Sequence, residues 1–373
     1  MKAGRLGPAA PVFGLSLWAF LAGAADAGAA DRKSLGFVIT TFRSAIYETK
    51  YMEECPEGLA AANDQIWWEN TPPKIRAEIT LNGNMEPVRD GRHNIASTRG
   101  PNGEDVCWNP TVVKDPPHKI IEGTTSFGMN LDGSTEDSAT PSTCAHGNFT
   151  NPEGVAGVDN QFYRLMGCVY GWRRHGFHEP TADIERTDTS QGIILIEIAG
   201  VDSLEADADV EVAFYRAVDL VAKDPTGKML PHASYRIDDV RRYGAVSKGR
   251  LQDGVLTTEP VDAHLPYRTN NHQGELYIKG MRMELRPAAA GAVKGMMAGY
   301  YDLENFWDFM RKIAYLAVVE KFSCPALYVA AHELADGYPD PKTGQCTALS
   351  SAFTFEAIPA FIIHPNARSA SAQ

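Results

Sequence analysis

The chain has 373 residues, of which 44% are hydrophobic, so it is long enough to bury a large core in one big domain or two ordinary ones. Its 47 acidic residues outnumber its 35 basic residues and give a net charge of −12 at pH 7. This excess of negative charge argues against nucleic acid or an anionic membrane surface as a partner.

The first 29 residues have the layout of a secretory signal peptide. Lys2 and Arg5 form a short basic start, and an apolar stretch over residues 12–25 follows. Ala25 and Ala27 then fit an A-x-A cleavage site. The apolar stretch is shorter than the roughly 20 residues that span a bilayer, and no later run reaches that length. We therefore expect residues 1–29 to be removed and the mature chain to have no integral membrane segment. Its expected location is periplasmic or extracellular.

An exported chain matures where thiols oxidise, so its cysteines are expected to form disulfides. The cysteines are Cys55, Cys107, Cys144, Cys168, Cys324 and Cys346. The sequence contains no C-x-x-C pattern and no Cys/His cluster at zinc spacing. Because shorter loops close with less loss of entropy, we predict pairing between sequence neighbours. The predicted pairs are Cys55–Cys107, Cys144–Cys168 and Cys324–Cys346.

The first element predicted in chain order is a strand over residues 35–42, which are rich in β-branched and aromatic side chains. Residues 53–115 are dominated by Pro, Gly, Asn and charge, and predict a loop-rich layer with a short helix after Pro73. A long polar loop follows over residues 132–157. The spacing of apolar residues over 160–172 then predicts an amphipathic helix with Asp159 as its N-cap.

Residues 192–286 give the strongest strand signal, with apolar residues that alternate between turns. Strands at this spacing are typical of a sandwich or barrel. Helices over residues 302–322 and 326–336 and a closing strand over residues 352–363 complete the pattern. The predicted fold is a β-rich α+β protein with an antiparallel β-sandwich-like core, a helical C-terminal layer and disulfide staples.

We predict a single domain over residues 30–365 and a disordered tail over residues 366–373. A subdivision near residues 157–180 is the alternative, because the long polar loop that precedes it is the best candidate boundary.

Acidic residues in and after the long polar loop make calcium a candidate cofactor. Asp132, Glu136 and Asp137 lie in the loop, and Asp159 follows it. Calcium takes six to eight oxygen ligands, often from loops of this composition. The spacing does not match an EF-hand, so a solvated turn followed by a helix cap is the competing interpretation.

Two histidine patterns suggest metal ligands. His175, His178 and Glu179 could hold a transition metal, but Gly176 and Pro180 argue against a helix there. Histidines of a surface loop are the favoured interpretation.

The second pattern, from His332 to Asp336, resembles the zinc-protease helix H-E-x-x-H, but its last residue is Asp. An ordinary helix end is the favoured interpretation there.

No nucleophile motif is complete in the sequence. The stretch around Ser126 resembles a G-x-S-x-G elbow but lacks the first glycine, and no S-x-x-K occurs. A Ser, a His and an acid that meet from distant positions stay open, because such sites are defined in space.

The tryptophans Trp67, Trp68 and Trp108 could form a stacking platform for a sugar, with core packing as the competing interpretation. Adjacent residues of an extended chain point to opposite sides, so we expect one of Trp67 and Trp68 to be exposed.

The sequence thus predicts an exported, soluble binding or accessory protein of the bacterial envelope, with an envelope glycan or a periplasmic enzyme as its partner. The alternative is an extracytoplasmic hydrolase with a loop-built, calcium-assisted site near the acidic loop and near His175 and His178. A structural envelope protein is the third class. A deep pocket where histidine and acids converge would favour the hydrolase, and a shallow groove lined by the tryptophans would favour binding.

Overall fold

The computed structural model describes residues 33–82, 100–176, 178–188, 192–268, 273–288 and 290–365. The predicted signal peptide and the predicted disordered tail lie outside these ranges. Within them, no helix combines the length and the apolar character needed to cross a membrane.

Strands dominate the described part of the chain. In chain order they are β1 (Lys33–Ser44), β2 (Phe149–Thr150), β3 (Ala156–Val158), β4 (Ile194–Val201), β5 (Asp207–Arg216), β6 (Ala233–Arg236), β7 (Ala245–Gln252), β8 (Val255–Thr258), β9 (Val261–Arg268), β10 (Gln273–Leu285), β11 (Val293–Asp302), β12 (Gly337–Pro339) and β13 (Cys346–Ile363).

The helices are shorter and fall mostly outside the run of strands. They are α1 (Asn63–Asn70), α2 (Pro73–Asn82), α3 (Gln161–Met166), α4 (His178–Asp188), α5 (Leu303–Lys312), α6 (Ala317–Glu320) and α7 (Cys324–Glu333). Short 3-10 helices cover Tyr170–Trp172, Arg241–Tyr243 and Ala314–Leu316.

The main strands pair edge to edge in one large, mostly antiparallel sheet. Its order is β1-β4-β5-β7-β8-β10-β11-β13, and β13 also pairs with β1, so these strands form a closed ring. β9 continues β8 along β10, and β12 and β6 pair with the two ends of β13. The β-rich fold and the closing strand are confirmed. The sandwich is not confirmed, because the main strands join into one sheet.

The main hydrophobic core lies on one face of this closed sheet. The apolar run of β4 is continuous because both of its faces are covered. Ile194 and Ile196 belong to the main core, whereas Ile193 and Leu195 pack with Tyr235 in a smaller second core.

Helices α5 and α7 contribute apolar side chains to the main core. α5 begins after Asp302, whose carboxylate accepts a hydrogen bond from the Asn305 amide at 2.9 Å. The predicted continuous helix over residues 302–322 is interrupted at Ile313, where the 3-10 turn begins. The segment ends at Lys321, which has a left-handed backbone with φ 66°.

The helix predicted over residues 160–172 is shorter than expected, and its cap is a different residue. Asn160 is the N-cap of α3, because its side chain accepts a hydrogen bond from the Tyr163 amide at 3.1 Å. The Asp159 carboxylate points elsewhere, to His146 and to the Leu131 amide.

All three predicted cysteine pairs are wrong. The structure joins Cys55 to Cys168, Cys107 to Cys324 and Cys144 to Cys346, and no cysteine is free. The prediction failed because loop-closure entropy grows only with the logarithm of loop length. Long-range strand pairing brings distant segments together. The entropy cost of closing a longer disulfide loop therefore did not decide the connectivity. Each bridge ties the loop-rich region before α3 to a later part of the fold.

We expect peptide mapping of the unreduced protein to recover the three long-range pairs, because the sheet holds the partner segments together. Replacing both Cys144 and Cys346 by Ser should lower the free energy of unfolding by about 2–5 kcal/mol, measured by urea denaturation. Peptides linking sequence neighbours, such as Cys144 with Cys168, would contradict the described fold.

Candidate functional site

Neither Trp68 nor Trp108 lines one of the cavities described below, and the predicted aromatic platform stays a prediction. Trp68 lies on α1 and is 37% exposed, and Trp108 is 54% exposed. The guanidinium of Arg311 covers the Trp108 ring at 4.4 Å from its centroid. The segment of Trp67 and Trp68 is helical, so the expectation based on an extended chain does not apply, and the side chain of Trp67 lies outside the described part.

Asp132 and Asp137 of the long loop accept local hydrogen bonds through their carboxylates. Asp132 accepts from the Ser134 amide at 2.7 Å, and Asp137 accepts from the Asn148 amide at 2.9 Å. The Glu136 backbone carbonyl accepts from the Asn148 side chain. The described residues contain no group of three or more His, Cys, Asp or Glu side chains arranged to hold a metal ion. Calcium binding at this loop stays a prediction.

A buried polar cluster anchors the same loop to the fold. His146 Nε2 lies 2.8 Å from Asp159 Oδ1 and 3.8 Å from Asp336 Oδ2, and both carboxylates are almost fully buried. His146 Nδ1 contacts the Cys144 carbonyl at 2.8 Å. The Ser350 amide donates to Asp336 at 2.6 Å. The cluster therefore ties the loop to the start of β13, beside the Cys144–Cys346 bridge.

The cluster favours the protonated form of His146. Burial by itself lowers the pKa of His146, but its hydrogen bonds to Asp159 and Cys144 and the charge of Asp336 outweigh burial and raise this pKa to about 9. Burial raises the pKa of Asp336 to about 6, against the opposing effects of Ser350 and His146. Asp336 is the last residue of the zinc-like pattern, whereas His332 is exposed and contacts the Tyr328 carbonyl. The two ends of that pattern therefore serve separate structural roles.

A surface groove, named here the tyrosine groove, lies between residues 48–52 and residues 170–175. Its volume is about 740 Å³, and Leu59 also lines it. Tyr51 and Tyr170 expose 72% and 39% of their surface. Lys50, Arg174 and His175 supply exposed cationic or titratable groups.

The floor of the tyrosine groove is rigid. Arg173 is buried and donates to Glu54 Oε1 at 2.5 Å and to the Gly167 carbonyl at 2.7 Å. The Arg174 amide donates to Glu48, and the Cys55–Cys168 bridge joins the two segments. These bonds fix both walls of the groove relative to each other.

A smaller cavity, named here the aromatic cavity, is lined in part by Ser44, which precedes one wall of the tyrosine groove in the chain, and by Trp172, which lies within the other. Its volume is about 40 Å³, and eight of its twelve lining residues are Phe, Tyr or Trp. The polar residues that line it include Ser44, His178 and Tyr301. The Tyr301 hydroxyl is buried and has no hydrogen-bond partner among the described residues. Burial raises the pKa of Tyr301 well above its usual value, so the phenol stays a neutral donor.

His178 is not the surface-loop residue that the sequence predicted. It is the first residue of α4, which forms despite Pro180 because proline is tolerated in the first turn of a helix. His178 Nδ1 lies 2.7 Å from Glu320 Oε1, and Glu320 is fully buried. The Trp172 ring stacks on the imidazole at 3.9 Å between centroids. His175, in contrast, is exposed and lines the tyrosine groove.

Several of these residues carry no signal in the sequence. Glu320 and Ser44 lie far from His178 along the chain, so no motif connects them. Tyr51 and Tyr170 stand alone in the sequence, and their segments meet through the bridge between Cys55 and Cys168 and the bonds of Arg173 and Arg174 to Glu54 and Glu48.

No protein-family model matches this chain, and no curated protein and no solved structure matches it either.

We expect the His146 cluster to make stability depend on pH in the alkaline range. Because the folded pKa of His146 is raised from 6.5 to about 9, its contribution is complete below pH 6.5 and is lost as the pH rises through 9. His146→Gln should lower the free energy of unfolding by about 3–5 kcal/mol near neutral pH, since it removes the only charge partner of the buried Asp159 among the described residues. Urea denaturation from pH 6 to 10 should show this difference narrowing as the pH rises.

The exposed His332 offers a matched control, and His332→Gln should leave the pH profile unchanged. A His146→Gln difference that stays constant from pH 6 to 10 would show that His146 is not charged in the fold.

Proposed function

We propose that this chain is an exported binding protein that holds an acidic saccharide in the tyrosine groove. The observation that carries the proposal is the presence, in one rigid groove, of two exposed tyrosine rings and several exposed basic groups. Aromatic faces pack against the apolar faces of sugar rings, and basic groups pair with acidic substituents.

The basic groups favour an acidic ligand over a neutral one. Among the described residues, Lys50, Arg174 and His175 form no ion pair, although the chain as a whole carries −12. Glu48 also lines the groove, where its carboxylate accepts from the Arg174 amide, but the side chains of Lys50 and Arg174 are exposed, so an anionic ligand would gain charge-assisted hydrogen bonds from them.

The rigidity of the groove also favours binding. Fixed walls reduce the conformational entropy lost when a ligand is ordered. The buried Arg173–Glu54 pair and the Cys55–Cys168 bridge supply that rigidity before any ligand arrives.

Export to an oxidising compartment is part of the proposal. It rests on the signal-peptide pattern over residues 1–29 and on the three disulfides, which form and persist outside the cytosol.

The test is calorimetric titration of the oxidised protein with an acidic oligosaccharide, such as an oligogalacturonate, and with a neutral oligosaccharide of equal length. We expect the acidic ligand to bind more tightly and to weaken as salt is added. Tyr51→Ala should weaken binding about tenfold, or ~1.4 kcal/mol, through the loss of one stacking surface. Arg174→Ala should weaken it and reduce the salt dependence.

Trp108→Ala and Lys294→Ala are matched controls, because both side chains are exposed and lie outside the groove. Neither should change the affinity. Binding that is lost in Trp108→Ala and kept in Tyr51→Ala would move the site to the tryptophan, and absence of binding to acidic oligosaccharides would refute the proposed ligand.

A further inference from the structure

A third cavity, named here the proline cavity, is lined by residues 110–120 and by residues 325–334 in and after helix α7. Its volume is about 620 Å³, and four of its fifteen lining residues are proline. Ten of the fifteen are Pro, Ala, Val, Leu or Ile, and none of them is Phe, Tyr or Trp. The lining therefore suits an alkyl chain better than a flat ring, because it offers no aromatic face for stacking.

The two walls of the proline cavity are joined before any ligand binds. The Cys107–Cys324 bridge ties the chain just before the first wall to the first residue of α7. Ser323, the N-cap of α7, donates a hydrogen bond to Asp115 Oδ2 in the first wall. Because proline also fixes its own backbone, little conformational entropy is left to lose when a ligand binds.

The first wall carries two open hydrogen-bond acceptors. A carbonyl oxygen can only accept, so the contact of His118 Nε2 with the Leu165 carbonyl at 3.0 Å places a proton on Nε2. Burial lowers the pKa of His118 to about 4, against the opposing effect of this hydrogen bond, so the imidazole is neutral at pH 7 and Nδ1 keeps its lone pair. No described residue donates to His118 Nδ1 or to Asp115 Oδ1.

The charges of the lining favour a cationic head group. Asp115 and Glu333 supply two carboxylates, and Lys114 is the one lysine or arginine among the lining residues. None of the three forms an ion pair with a described residue, and Lys114 and Glu333 are exposed. An anionic head group would meet two like charges and one opposite charge, whereas an ammonium group meets the reverse. The net charge of −12 also attracts cations to the protein.

We propose that the proline cavity binds a protonated primary alkylamine, whose chain packs on the aliphatic lining and whose ammonium group donates to Asp115. A primary ammonium has three N–H donors, so it can pair with a carboxylate and still donate to a neutral acceptor such as His118 Nδ1. This site is separate from saccharide binding in the tyrosine groove and takes a ligand of the opposite charge.

The test is calorimetric titration of the oxidised protein at pH 7 with octylammonium, hexylammonium, octanoate and octyltrimethylammonium. We expect one octylammonium to bind per chain, about fifteenfold more tightly than hexylammonium, or ~1.6 kcal/mol for two buried methylenes. Octanoate should bind at least tenfold more weakly, because its head group is anionic. Octyltrimethylammonium should also bind at least tenfold more weakly, because it has the positive charge but no N–H donor.

Variants place the ligand in the proline cavity. Asp115→Asn should weaken octylammonium binding at least tenfold, and its amide oxygen can still accept from Ser323. Glu333→Gln should weaken binding about threefold, because this exposed carboxylate acts through its charge. Lys114→Met should tighten binding about twofold, since it removes a like charge and keeps an unbranched side chain.

Asp209→Asn and Glu211→Gln are matched controls, because each removes one exposed negative charge of β5 outside the cavity. Both should leave the affinity for octylammonium unchanged. Weakening by the controls equal to that of Asp115→Asn would show only a general attraction of cations, and would overturn the proposal.

The wild-type protein decides the outcome even if a variant fails to fold. Equal affinity for hexylammonium and octylammonium, or octanoate binding as tight as that of octylammonium, overturns the proposal. Equal affinity for octyltrimethylammonium overturns it too, since the ligand would then donate no hydrogen bond to Asp115. Because no ligand in this test carries a sugar, failure of saccharide binding would leave the result unaffected.

Discussion

The pairing of β1 with β13 is the contact on which the rest of the fold depends. It joins the two ends of the described chain, from Phe37 opposite Pro359 to Ser44 opposite Phe353, with a register shift between Ile39 and Thr41. β13 already pairs with β11 along its other edge, so the β1 contact closes the sheet. Closing so long a loop carries a large entropy cost, which burial offsets. Phe37, Ile39 and Phe355, which lie in the paired parts of β1 and β13, are almost completely buried.

Both candidate sites begin where the pairing of β1 with β13 ends. β1 ends at Ser44 in the aromatic cavity, and the chain then runs directly into the wall of the tyrosine groove over residues 48–52. The opposite wall, over residues 170–175, leads to Trp172 and His178. The Cys55–Cys168 bridge and the Arg173–Glu54 ion pair hold these two segments together. The same two chain segments therefore line both the groove and the cavity.

Helix α4 protects the part of β1 that β4 leaves unpaired. β4 pairs with β1 only as far as Val38, and side chains of α4 take over beyond that point. Asp183 accepts from the Phe42 amide, and Arg186 donates to the Ile39 and Thr40 carbonyls. An exposed strand edge invites pairing with other chains, so this cover is a structural requirement of the fold.

Local patterns in the sequence predicted local structure well. The alternation over residues 192–286, the Asp302 cap and the closing strand through Pro359 depend on neighbouring residues, and the structure has all three. The disulfide connectivity was missed because it follows from strand pairing across distances of 113 to 217 residues. His178 was misplaced because Pro180 was interpreted as a helix breaker, although it lies in the first turn. No sequence pattern indicated the roles of His146 and Glu320, because their partners are distant along the chain or lie outside helices and strands.

Hydrogen exchange at the amides of β1 tests this account most directly. If β1 closes the sheet, its amides from Phe37 to Ser44 should exchange as slowly as those of β13, with protection close to that of global unfolding. Protection in β13 together with rapid exchange throughout β1 would show that β1 is not stably paired with β13 in solution. The strand that positions both sites would then be missing.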